Sequence, residues 1–182
     1  PRAAYRFLHG HGFPWRVIFE GPAPFEISFE RLTGNLACFN EVVLSWGNPY
    51  DEPLDAAWAP LVVIAEEDFR NGGACYCVHK STGHVIRIDV ELEKPESYVN
   101  SSVQRFGHSL LEAVFWSSGN SCGTLEQWRR ELADLSLRLK GVDPSAFEDP
   151  ENHWPKLLDM ARSDGFDTFA VTTDPERSRS RF

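Results

Sequence analysis

A chain of 182 residues with 42% hydrophobic and 25% charged side chains has the size and make-up of one globular domain with its own core. Acids outnumber bases 27 to 18, a formal charge of −9. That balance argues against direct nucleic-acid binding, which depends on Lys and Arg neutralising phosphates, and suits docking onto a basic protein.

No apolar run approaches the roughly 20 residues that a membrane helix needs, and no charged stretch followed by a short apolar one opens the chain, so no secretory leader is expected. Four cysteines (Cys38, Cys75, Cys77, Cys122) are too few for a disulfide framework in a chain of this length, and a cytoplasmic location is expected.

The predicted elements begin with a short helix over Ala3 to Leu8 that stops at Gly10 and Gly12. Trp15 to Phe19 reads as a short apolar strand. In the next segment Phe25, Ile27 and Phe29 alternate with Glu26, Ser28 and Glu30, the period of a half-buried strand. Cys38 to Trp46 is a further strand candidate, ended by Gly47-Asn48-Pro49. Leu61 to Ala65 is a continuous apolar run of strand length, as expected for a strand covered on both faces.

Asn71-Gly72-Gly73 supplies a tight turn. Cys75 to His79 and Val85 to Leu92 flank a second turn at Ser81-Thr82-Gly83, with Arg87, Asp89 and Glu91 alternating against Ile86, Ile88, Val90 and Leu92. The rest reads as helix. Ser101 with Gln104 has the form of a capping box, and Val103, Phe106, Leu110, Leu111, Val114 and Phe115 follow at helical spacing on one apolar face. After a loop from Ser117 to Gly123, Thr124 with Gln127 repeats the capping pattern. Leu125, Trp128, Leu132, Leu135 and Leu139 then form a stripe that is expected to stop at Gly141. A third helix is predicted from Trp154 to Ser163, with Pro155 in its first turn and Gly165 as its cap. Turns this short make the sheet mostly antiparallel. The prediction is an α+β fold, a twisted antiparallel sheet with helices packed on it. A single domain is expected over residues 1–165, with an extended C-terminal arm over 166–182.

The order of these elements and their wording resemble a known group. The segment WAPLVVIAEEDFRNGGACYCVHKSTGHVIRIDVE looks like the sheet of the SMI1/KNR4 (SUKH) superfamily, and YVNSSVQRFGHSLL resembles the helix opening of its SUKH-4 immunity-protein branch. RFLHGHGFP near the start and DPSAFEDPENHWPKLLDMARSDG near the end fit the same branch. The resemblance covers roughly residues 5 to 165. It implies a role in bacterial toxin–immunity systems, in which such proteins bind and block a toxin, often a nuclease or deaminase. It supplies no catalytic residues. The loop from Trp46 to Trp58 and the basic end at Arg177, Arg179 and Arg181 lie outside the pattern, and scaffold-type relatives leave a non-catalytic subunit of a larger assembly as a second reading.

The candidate binding surface combines rings and carboxylates. Trp46, Tyr50 and Trp58 stand beside Asp51, Glu52 and Asp55, and Glu66, Glu67 and Asp68 follow at the end of the buried strand. Such a set suits a protein interface, with the aromatics supplying the energy and the acids setting rate and specificity. The acids would also serve a hard cation such as calcium, or form a solvated strand end, and the rings would equally serve a core. Cys75, Cys77 and His79 point to one face of a strand and have the atom types of a zinc site, with His84 or Cys38 as a fourth ligand. The alternate-residue spacing is not that of a zinc knuckle, and small buried hydrophobes are the competing reading. His9 and His11 lack a nearby acid, and Ser101 is explained by capping. No cofactor is expected, and no matched nucleophile and base stand out. The expected partner is a basic cognate toxin, and the expected activity is binding without catalysis. A metal-dependent enzyme built on Cys75, Cys77 and His79 is the remaining alternative.

Overall fold

The computed structural model describes residues 16–19, 25–28, 39, 58–67, 74–89, 95–119 and 124–163. The chain divides into two compact units, Pro1–Val17 with Glu26–Gly107, and Ile18–Phe25 with His108–Phe182. The fold is α+β, as expected, with an open, mostly antiparallel sheet and, among the described residues, three long helices.

The sheet runs β1 (Arg16–Phe19), β2 (Phe25–Ser28), β3 (Leu61–Glu67), β4 (Cys75–His79), β5 (Val85–Ile88) and β6 (Glu96–Asn100), in that spatial order. Antiparallel pairing is explicit from β2 through β6. The β4–β5 hairpin closes where the Ser81-Thr82-Gly83 pattern places it. His79 N–H donates to the His84 carbonyl at 2.9 Å and Gly83 takes a φ of +77°, a conformation glycine enters without a side-chain clash. β6 has no counterpart in the sequence prediction. The expected strand over Cys38 to Trp46 has one described residue, Phe39, and it is helical. The predicted helix at Ala3 to Leu8 and the C-terminal arm lie outside the described residues.

β3 and β4 are covered on both faces, as a continuous apolar run requires. On one face Phe39, Leu61, Val63, Cys75, Cys77 and Ile88 form a core cluster, edged by half-buried Trp58 and Ile86. On the other, Tyr76 stacks on Phe106 with ring centroids 5.2 Å apart. One irregularity decides which side chains meet. Val63 pairs with Cys77 but Ala65 pairs with Tyr76, so Ile64 is an inserted residue in β3. A one-residue slip exchanges the two faces of a strand. Beyond the bulge, Glu66 therefore joins the face of Cys75, and Glu67 turns to the face of Tyr76.

Helix α1 (Val103–Gly119) starts one residue later than the capping pattern suggested. Ser102 Oγ accepts the Arg105 N–H at 3.2 Å, while Ser101 Oγ accepts from the Arg105 guanidinium at 2.9 Å. Val103, Phe106, Leu110 and Ala113 are buried, but Leu111 and Phe115 are 49% and 71% exposed, so the buried stripe is narrower than the apolar pattern. In α2 (Leu125–Val142), Thr124 Oγ1 accepts the Gln127 N–H as expected, and Trp128, Leu132, Leu135 and Leu139 are buried. The helix runs through Gly141. It ends at Asp143, which is extended at φ −145°, ψ 92°, because Pro144 disfavours helical geometry in the residue before it. A single 3-10 turn (Pro144–Phe147) leads towards α3 (His153–Ser163), which carries Pro155 in its first turn. Gly165 lies outside the described residues.

Candidate functional site

The sheet gathers Glu67, Tyr76, Arg87 and Asp89 into one part-buried network. Tyr76 and Arg87 are cross-strand partners in β4 and β5, and the bulge in β3 sends Glu67 to the same face. Arg87 grips Glu67 with both arms of its fork, Nε to Oε1 at 3.0 Å and Nη2 to Oε2 at 2.6 Å. The Tyr76 hydroxyl donates to Glu67 Oε1 at 2.6 Å, and Asp89 Oδ2 accepts a longer bond from Arg87 at 3.3 Å. A bidentate guanidinium–carboxylate pair out of water is the strong form of an ion pair.

The electrostatics follow from burial. Burial alone would lower the Arg87 pKa, but the hydrogen bond and charge of Glu67, with Tyr76 and Asp89, outweigh it and push the guanidinium above its ordinary range. Burial first, then the Glu67 charge, raises the Tyr76 phenol well above its ordinary 10.0, with Arg87 acting in the opposite direction. Burial, then Cys75 and Glu66, likewise raises the Cys77 thiol well above 9.0. Both groups are neutral in the folded state and ionise more readily in the unfolded chain. Their contribution to stability is therefore complete below the unfolded-state values and is lost as pH climbs past them towards the folded-state values. Above pH 9 for Cys77 and above pH 10 for Tyr76 the unfolding free energy should fall, each group adding at most about 1.4 kcal/mol per pH unit to the slope. Denaturant titrations from pH 8 to 11 test this, and Tyr76→Phe should remove the part that sets in last.

The sequence-derived candidates divide. Trp58 is half-buried, packs edge to face on Phe39 at 5.4 Å, and its Nε1–H donates to Glu96 Oε1 at 2.6 Å. Glu66 sits at the end of β3 opposite Cys75, and Glu67 is held in the network just described. Trp46, Tyr50, Asp51, Glu52, Asp55 and Asp68 lie outside the described residues. Cys75 and Cys77 are buried thiols in no disulfide, within the core cluster. His79 turns its Nδ1 to the hairpin, 3.0 Å from Ser81 Oγ and 3.4 Å from the Ser81 and Thr82 N–H groups. Among the described residues no three His, Cys, Asp or Glu side chains converge as metal ligands. Tyr76, Arg87, Asp89 and Glu96 are the site residues that sequence reasoning passed over. Arg87 and Asp89 alternate visibly with Ile86 and Ile88, but their meeting with Glu67 depends on the bulge.

The SUKH-4 immunity protein family model matches residues 1–160. The chain belongs to that family. No curated protein and no solved structure gives a significant match to it. In this SUKH-4 member the described sheet carries an internally bonded network on one face and the Trp58–Glu96 hydrogen bond on the other, and family membership suggests an immunity protein with a cognate toxin. Among the described residues, no helix is long and apolar enough to cross a membrane.

Proposed function

We propose that this SUKH-4 protein is a bacterial immunity protein that binds a cognate protein toxin in the cytoplasm and blocks it by occupying the toxin's working surface, with no turnover. The observation that carries the reading is the family match over residues 1–160. The chemistry agrees with it: a formal charge of −9 favours encounter with a basic partner, as a nuclease or a nucleic-acid deaminase would be. We place the interface on the loop from Trp46 to Trp58 and the end of β3. In it Trp46, Tyr50 and Trp58 serve as anchors, and Asp51, Glu52, Asp55, Glu66 and Asp68 supply the field, whereas Glu67 is held by Arg87 on the other face of the sheet.

The test uses the toxin encoded beside the gene, expressed as an inactive variant for binding and as the active form for inhibition. Equimolar immunity protein should abolish toxin activity. Reversing the charges of Asp51, Glu52 and Asp55 together with Tyr50→Ala should weaken binding by roughly 30-fold or more, the loss that goes with one hot spot of about 2 kcal/mol. Active toxin in the presence of excess protein would refute the occlusion reading, and unchanged affinity in the quadruple variant would move the interface elsewhere.

A further inference from the structure

On the face of the sheet opposite the Glu67 network, β5 and β6 set Ile86 beside Tyr98 and Ile88 beside Glu96. Trp58, just ahead of β3, reaches this face, backed by Phe39 and bonded through its indole N–H to Glu96 Oε1 at 2.6 Å. Tyr98 adds a second half-buried ring, edge to face with His84 at 5.4 Å. Glu96 itself is exposed, and among the described residues no lysine or arginine pairs with it. The indole thus holds the carboxylate without neutralising its charge, and no described cation does so, in a chain that already carries −9. A negative group aligned beside an aromatic ring has the form of a receptor for a flat cation.

We propose that Trp58 and Glu96 together form an anchor site for an arginine side chain of a basic protein partner. The proposal rests on the occlusion reading and names one of its contacts. A guanidinium can lie over the indole face and donate to the second Glu96 oxygen in a single pose. It gains ring attraction and a charge-assisted hydrogen bond at once. A lysine ammonium, compact and strongly hydrated, makes either contact but matches the pair less well. Glu96 adds to the interface an acid that lies 38 residues beyond Trp58 in the chain but beside it in the fold.

The test is an NMR titration of 15N-labelled protein at low salt with a capped tri-arginine peptide, and with its tri-lysine counterpart. The probe is the Trp58 indole N–H resonance, assigned by its disappearance in Trp58→Phe. The arginine peptide should move that resonance saturably, with an affinity about threefold better than the lysine peptide. Glu96→Gln keeps an oxygen to accept the indole N–H but removes the charge, and should weaken the arginine titration about fivefold or more. A Trp58 signal that does not move, or that moves equally in wild type and Glu96→Gln, overturns the proposal. With the toxin itself the two ideas separate. If Glu96→Gln binds toxin as tightly as wild type, the arginine anchor is wrong and occlusion stands. If neither protein binds toxin, the occlusion reading has failed and the anchor with it.

Discussion

Replacing Arg87 with alanine is expected to lower the unfolding free energy by about 3 kcal/mol at neutral pH, the usual scale for breaking one side of a largely buried pair. The guanidinium and the Glu67 carboxylate are only 19% and 16% exposed, and Glu67 would keep its charge and its bond from the Tyr76 hydroxyl but lose the two-armed grip. The penalty comes mainly from a carboxylate that has lost its bidentate counter-ion, so the companion variants decide the interpretation. Arg87→Lys retains a charge but loses the two-armed grip and should cost about half as much. Glu67→Leu combined with Arg87→Met removes both members of the bidentate pair and should be milder than Arg87→Ala alone, because only the longer bond to Asp89 is then lost from a charge that stays behind. Urea denaturation of the three variants reads this directly. If Arg87→Ala costs less than about 1 kcal/mol, water reaches the pair well enough to screen it, and the network is an ordinary surface ion pair.

This network also marks the boundary of what the sequence discloses. β3, β4 and β5 were legible because their signals are local: the apolar run from Leu61, the glycine of the hairpin, and the alternation around Ile86 and Ile88. Helices α2 and α3 were legible for the same reason, since Thr124 caps its own helix and Trp128, Leu132, Leu135 and Leu139 repeat at helical spacing. What was hidden depends on partners distant in the chain. β6 is Glu-Ser-Tyr-Val-Asn, with too little alternation to stand out, and it forms a strand because β5 offers it a ladder. The bulge at Ile64 leaves no mark in a run of apolar residues, yet it alone turns Glu67 towards Arg87.

The apolar pattern of α1 overstated its buried face for a related reason. Periodicity records which residues share a side of a helix, but not how much of that side a neighbour covers, and Leu111 and Phe115 remain exposed. The cysteines show the same ambiguity at a site. Alternation puts Cys75, Cys77 and His79 on one face, but the fold uses the thiols as core residues and the imidazole to hold its turn. Of the candidate interface, the sequence singled out Trp58, which is half-buried against Phe39. Its hydrogen bond to Glu96 required the sheet.

Trp128→Ala is expected to cost about 4 kcal/mol, the upper part of the range for emptying a buried aromatic site. Trp128 is 1% exposed in α2, packs against Trp116 of α1 with ring centroids 5.2 Å apart, and donates its Nε1–H to the Ala161 carbonyl of α3 at 3.1 Å. Truncation therefore removes a large apolar volume and a tie to a third helix together. Trp128→Phe should cost about 2 kcal/mol, since it keeps much of the volume and leaves the Ala161 carbonyl without that donor. Its neighbour gives the control. The Trp116 Nε1–H is buried with no hydrogen-bond partner among the described residues, so Trp116→Phe discards a group that already carries a desolvation cost and should be neutral or slightly stabilising. Two indoles in contact would thus respond in opposite directions to the same substitution. Chemical denaturation followed by far-ultraviolet circular dichroism, which does not rely on the tryptophans being replaced, measures both. Equal losses from Trp128→Phe and Trp116→Phe would show that ring volume alone stabilises this pair and that the bond to Ala161 contributes nothing.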